Sequence, residues 1–219
     1  MNENTKRIKK TVDGLSPVLR QDGFVRHSLN FSRTAGEALQ VINIQLNRYN
    51  SNESGSFTMN IGVYFERIAK LLPGTFPMPA NPKEPNCIVR TRVGTLMPNA
   101  TDFWWTVTPQ TDVTALAKEV GTAYSKYAIP WLARLETVSA LATTKPGKHE
   151  VRHAWTAAAA MVVLGDRAKA TQLVEAELEW LKVDPLYAQR ENEKLREQRL
   201  EQLRTWAREQ GIAVANERI

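Results

Sequence analysis

The stretch QVINIQLNRYN (Gln40–Asn50) alternates with a period of two: Ile42, Ile44 and Leu46 point one way, Asn43, Gln45 and Asn47 the other. SFTMNIGVYF (Ser56–Phe65) repeats the pattern, with Phe57, Met59, Ile61 and Val63 opposing Thr58 and Asn60. Side chains of a strand alternate between faces, so each stretch reads as a half-buried strand. Between them lies a turn cluster, NSNESGS (Asn50–Ser56). A connection this short pairs its strands antiparallel.

Working outward, Phe24–Arg33 reads as a preceding strand, with Val25, His27, Leu29 and Phe31 opposing Arg26, Ser28, Asn30 and Ser32. Before it, Lys9–Gln21 reads as a helix with a stripe of Val12, Leu15, Val18 and Leu19, closed by Asp22-Gly23. After the central pair, LLPGTFPMPANPKEPN (Leu71–Asn86) holds five of the eleven prolines and reads as an ordered excursion over the surface. Ile88–Leu96 and Asp102–Thr108 resume as strands, Asp112 caps a helix through Tyr127, and Pro130 suits the first turn of another.

Beyond Lys145-Pro146-Gly147 the chain reads as all helix. Trp155, Ala158, Ala159, Val162 and Val163 form one stripe, Gly165-Asp166 a turn, and Ala170, Leu173, Val174, Leu178 and Leu181 the answering stripe. Asp184-Pro185 opens a last, highly charged helix to about Gln210, whose apolar positions keep no strict heptad. The expectation is an α+β fold: an antiparallel sheet of about five strands packed on helices, then a helical extension. The expected domains are 1–145 and 146–219.

The segments DGFVRHSLNFSR, QVINIQLNRYN, SFTMNIGVYF and IVRTRVGTLMPNATDFWW occur in this order. Together they resemble the bacterial family catalogued as domain of unknown function 4304, over roughly residues 9–123. The V-I-N-I-Q and T-x-N-I-G-V-Y strands and the pair Trp104-Trp105 carry the resemblance. It implies a compact α+β domain of bacterial, cytoplasmic origin, and brings no reaction or ligand.

Composition narrows the function. Net charge is +6; residues 1–100 carry 13 Lys/Arg against 7 Asp/Glu, and the remainder 16 of each. A basic first half points to an anionic partner. No apolar run approaches a membrane span, and the basic N-terminus leads into no apolar signal region. Cys87 is the sole cysteine, which suits a reducing cytoplasm. There is no phosphate-binding or dinucleotide glycine loop and no serine-nucleophile motif, so no cofactor is expected.

One sheet face should gather Asn43, Gln45, Asn47, Asn60, Arg90, Arg92 and Trp104, a set suited to gripping an acidic protein partner. Nucleic acid is an alternative partner, though the face lacks lysines and an aromatic series; a plainly solvated face is another reading. The basic arm Met1–Lys10 could serve the same partner, or fray. KHEVRHAW matches H-E-x-x-H, which on a helix places His149 and His153 on one face as metal ligands, with Glu150 as the base of a hydrolase. Arg152 inside the motif argues against a metal, and a pair between Arg152 and Glu177 across the helical hairpin is predicted instead. The function read is a non-enzymatic binding module, monomer or weak dimer, in a setting such as toxin neutralisation or phage defence.

Overall fold

The computed structural model describes residues 2–73, 82–99, 101–147, 149–152, 155–183 and 192–214. Helix α1 (Glu3–Gln21) precedes strands β1 (Val25–His27), β2 (Asn30–Ala35), β3 (Ala38–Leu46) and β4 (Gly55–Tyr64). Then come α2 (Glu66–Ala69), β5 (Val89–Arg92), α3 (Val93–Leu96), β6 (Trp105–Val107) and α4 (Val113–Ala123). A π-turn (Tyr124–Ala128) leads into α5 (Ile129–Ala133) and α6 (Val138–Thr143). The chain continues through β7 (Val151–Arg152), α7 (Thr156–Leu164), α8 (Arg167–Val183) and α9 (Glu193–Glu209).

The strands form one antiparallel sheet in the order β1-β2-β3-β4-β5-β7, with β6 on the other end of β4. The α+β fold is as expected, with two more strands than the sequence reading allowed. The apolar face carries Phe31, Ile42, Ile44, Phe57, Met59 and Ile61, all fully buried. The stripe of α1 (Ile8, Val12, Leu15, Leu19) is buried in the same core, and α1 packs along α4. Asp112 caps α4, accepting from the Thr114 and Ala115 N–H groups at 2.8 and 3.1 Å. Asp166 likewise accepts from the Lys169 N–H at 2.9 Å where α8 begins, after Gly165 turns the chain at φ 80°.

Three readings change. Phe24–Arg33 is a hairpin, not one strand: Ser28 takes φ 62°, and His27 pairs with Asn30. The fold-back places Arg26 opposite Phe31, its guanidinium 5.7 Å from the ring, and leaves Val25 59% exposed. The N-terminal arm is no frayed tail. Asn2 caps α1 through Thr5 at 2.7 Å and donates to the Asn50 carbonyl at 2.6 Å; Asn4 donates to the Ser51 carbonyl at 3.1 Å. The β3–β4 turn cluster thus anchors the first helical turn. Ile88–Leu96 stops being a strand after Arg92, because α3 brings Gly94 against Phe103, where a β-carbon would lie 2.5 Å from the Phe103 Cβ.

The helical hairpin α7–α8 forms as read, burying Ala158, Ala159, Ala170, Val174, Leu178 and Leu181. Helix α9 docks on the body: Trp206 donates to the Leu71 carbonyl at 2.5 Å and packs on Trp155 at 5.6 Å. The start expected for this helix, Asp184-Pro185, and part of the proline-rich excursion lie outside the described residues. Among the described residues no helix is long and apolar enough to cross a membrane.

Candidate functional site

The polar face is built by register. Asn30 stands opposite Asn43, Asn43 opposite Asn60, and Asn60 opposite Arg92, one row across β2, β3, β4 and β5. The side chains interlock. Asn43 donates to Asn30 at 2.9 Å; Asn60 donates to Gln45 at 2.8 Å and to Asn43 at 3.3 Å. The Arg92 Nε donates to the Asn60 Oδ1 at 3.2 Å, and its Nη2 reaches the Gln45 Oε1 at 3.5 Å. A guanidinium only donates, so Arg92 fixes the Asn60 Oδ1 as its acceptor, the Asn60 amide then donates to Gln45 and Asn43, and Asn43 donates on to Asn30. The row ends in a guanidinium held in one orientation.

The face is roofed on both sides of Asn60 along β4. Cys87 sits on Gly62, where a β-carbon would lie 2.6 Å from the Cys87 Cβ, and Thr58 donates to the Phe103 carbonyl at 2.9 Å. Between the roof and β7 lies a cleft of about 560 Å³, walled by Gln45, Asn60, Glu84, Arg90, Arg92, Asp102 and His149 among others. Arg90 pairs with Glu84 at 3.4 Å; Arg92 pairs with Asp102, whose side chain is 59% exposed. The Arg92 guanidinium beside Asp102 holds its carboxyl below the usual range. The Trp104 ring lies 5.3 Å from the same guanidinium.

Of the residues singled out from the sequence, Gln45, Asn60, Arg90 and Arg92 wall the cleft. Asn43 stands behind Asn60, and Trp104 touches Arg92. Asn47 lies away from it, donating to the Ser56 hydroxyl at 3.1 Å. Glu84 and Asp102 were missed, since loops bring both in and no periodicity marks them.

The helical placement of H-E-x-x-H does not hold for its described part. Val151 and Arg152 form a strand paired with Arg90 and Val89, so the motif does not ride on a helix. The Glu150 carboxylate is buried. It accepts from Trp131 Nε1 at 3.0 Å and Arg152 Nε at 2.5 Å, with Arg134 at 3.6 Å. A carboxylate so engaged is not a free base for a metal-bound water. His153 lies outside the described residues. Among the described residues no three His, Cys, Asp or Glu side chains converge to hold a metal ion. The predicted Arg152–Glu177 pair is not one between two helices: Arg152 is on β7, and it pairs with Glu150. Glu177 does wall the same cavity as Arg152.

No curated protein and no solved structure matches the chain. Residues 15–134, more than half of the chain, match the model of a family described as Domain of unknown function (DUF4304). They span α1 to α5 and so include the row and the two arginines at its end. The chain belongs to the DUF4304 family.

Proposed function

We propose that this chain is a non-enzymatic binding module of the bacterial cytoplasm whose cleft takes a carboxylate-bearing segment of an acidic protein partner. The observation that carries this reading is the Asn30–Asn43–Asn60–Arg92 row, which orients Arg92 at the cleft beside Trp104. A guanidinium fixed in advance loses little freedom when it binds a carboxylate. Asp102 is a stand-in for the partner's carboxylate. Exposed ion pairs are weak, so a better-placed carboxylate displaces it readily. The excess positive charge of residues 1–100 favours the encounter. Nucleic acid fits less well: no lysine to track phosphates and no aromatic series to stack bases walls the cleft. In this reading residues 1–145 carry the binding face and 146–219 brace it, with β7 forming one wall.

The test is fluorescence anisotropy with a labelled glutamate-rich peptide and a labelled single-stranded oligonucleotide, each across a salt series. The peptide should bind, and Arg92→Ala should weaken it about 10- to 100-fold, the range of a charged hydrogen-bond pair. Preferential binding of the oligonucleotide, or peptide binding indifferent to Arg92, overturns the reading.

A further inference from the structure

A groove of about 730 Å³ runs between α1 and α4, and its walls share no residue with the arginine cleft. Lys10, Gly14 and Val18 recur at every fourth position of α1, one row of a helix face, as Ala117 and Gly121 do on α4. The two helices meet closely here, since a β-carbon on Gly14 would lie 3.0 Å from the Ala117 Cβ. Ala117 and Gly121 are buried and form the floor; Val18, 37% exposed, and the half-buried Val113 line the sides.

The groove is fixed in advance. Tyr124 opens the π-turn after α4 and donates to Asp22 Oδ2 at 2.6 Å, which ties that turn to the end of α1. Pro130 has no N–H for the α-helical ladder, and the Ile129 N–H reaches five residues back to the Tyr124 carbonyl. Turns of this kind recur at functional sites, and Ser125 and Lys126 of this one stand on the groove wall.

Every charged residue on the walls is a lysine: Lys10, Lys118 and Lys126, all exposed. Among the described residues the lysines in ion pairs are Lys6, Lys70 and Lys182, and so none of these three. The carboxylates on the same helices are engaged elsewhere. Glu3 pairs with Lys6 at 2.6 Å and Asp13 with Arg26 at 2.7 Å, Glu119 accepts from the Trp105 indole at 3.0 Å, and Asp112 caps α4. An apolar trough edged by ammonium groups is complementary to an apolar stripe edged by carboxylates.

We propose that this groove docks an amphipathic helix of an acidic protein partner, its apolar stripe on the floor and its carboxylates toward Lys10, Lys118 and Lys126. Helices pack at about 8–10 Å by seating ridges in grooves, and small floor side chains permit that approach. The α1 row spans about 12 Å, two helical turns, so the partner presents apolar residues at i, i+4 and i+7. A flat bilayer meets the rim before the floor, and a nucleic acid finds neither an arginine nor an aromatic ring on these walls to stack its bases. The docking does not rest on the reading of the arginine cleft, and either holds without the other.

The test is fluorescence anisotropy of the full chain with a labelled helical peptide of about 18 residues, leucine and alanine along one face and glutamate along both edges. A version with glutamine for glutamate is the comparator and needs no protein variant. The glutamate peptide should bind in the micromolar range and the glutamine peptide about tenfold more weakly, a difference that shrinks at high salt. Lys118→Glu combined with Lys126→Glu should weaken the glutamate peptide about tenfold, and Val18→Ser about threefold, with thermal unfolding showing that both variants fold. Arg92→Ala should leave this binding unchanged, which separates the groove from the cleft. Equal affinity of the two peptides, or no binding up to about 1 mM, overturns the proposal. Loss with Arg92→Ala but not with the lysine pair overturns it too, and sends the peptide to the cleft. So does displacement of the peptide by phosphatidylglycerol vesicles or a single-stranded oligonucleotide at lower concentration, which assigns the groove to a membrane surface or to nucleic acid.

Discussion

Asn60→Ala probes the row where its links meet. Asn60 is 5% exposed, on the strand at the centre of the sheet, and makes three side-chain bonds: to Gln45 at 2.8 Å, to Asn43 at 3.3 Å and from Arg92 at 3.2 Å. The first two are neutral and contribute about 0.5–1.5 kcal/mol each; the third is charge-assisted, about 1.5–3 kcal/mol. Water entering from the cleft re-satisfies some of the freed groups, so the expected loss is about 2–4 kcal/mol. For a chain of this length that lowers Tm by about 5–12 °C. Urea unfolding followed by tryptophan fluorescence measures it directly. Asn47→Ala, whose bonds to the Ser56 hydroxyl and from the Tyr49 N–H lie away from the row, should lose about 1–2 kcal/mol and show no coupling to Arg92→Ala. A double-mutant cycle of Asn60→Ala with Arg92→Ala should give a coupling of about 1–2 kcal/mol. A loss under about 0.5 kcal/mol for Asn60→Ala, with no coupling, refutes the claim that the row holds Arg92.

Other outcomes follow from single side chains. Tyr124 donates to Asp22 Oδ2 at 2.6 Å, and burial, then the Asp22 carboxylate, pushes its phenol above the ordinary value. The folded state therefore favours the protonated phenol, and this stability is complete below about pH 10 and is lost as the pH rises further. Tyr124→Phe should lose about 1–2 kcal/mol at neutral pH and flatten the alkaline decline, checked by urea unfolding from pH 7 to 11. Burial, and secondarily Glu84, pushes the Cys87 thiol up as well, so it should resist a disulfide reagent at pH 8 until urea unfolds the chain; prompt labelling of the folded protein contradicts this. Asp102 has a lowered pKa, so its tether on Arg92 is intact above the ordinary value of about 3.9 and is lost as pH falls through the lowered one. Asp102→Asn at pH 7 should raise affinity for the glutamate-rich peptide about threefold by removing the competing carboxylate. A fall in affinity argues that Asp102 positions Arg92 rather than competes for it.

Much of the sheet was legible because its central strands announce themselves. The alternation in Gln40–Asn50 and Ser56–Phe65 assigned Ile44 and Met59 to the core and Asn43 and Asn60 to the other face, and the short turn between them constrained the register. Asp112 before α4 was legible too, since a side-chain cap is a local interaction. What failed was non-local or conformationally unusual. A serine is a weak turn signal, so the positive φ of Ser28 hid the β1–β2 hairpin. Glu150 and Arg152 look helical in isolation; pairing with a strand some 60 positions earlier makes the segment extended. Asn2 caps α1 through contacts that also involve residues 50–52, invisible from the basic N-terminal run. The cleft was legible by half: its arginines and carboxamides lie on strands, whereas Glu84 and Asp102 come from connections.

The most direct measurement of the central claim is the affinity of the glutamate-rich peptide for the wild-type chain, Arg90→Ala and Arg92→Ala at low and moderate salt. Binding that weakens with salt, and that falls about 10- to 100-fold in Arg92→Ala with folding preserved, places the acidic partner in the cleft. Binding unaltered by either substitution contradicts it and moves the partner to another surface.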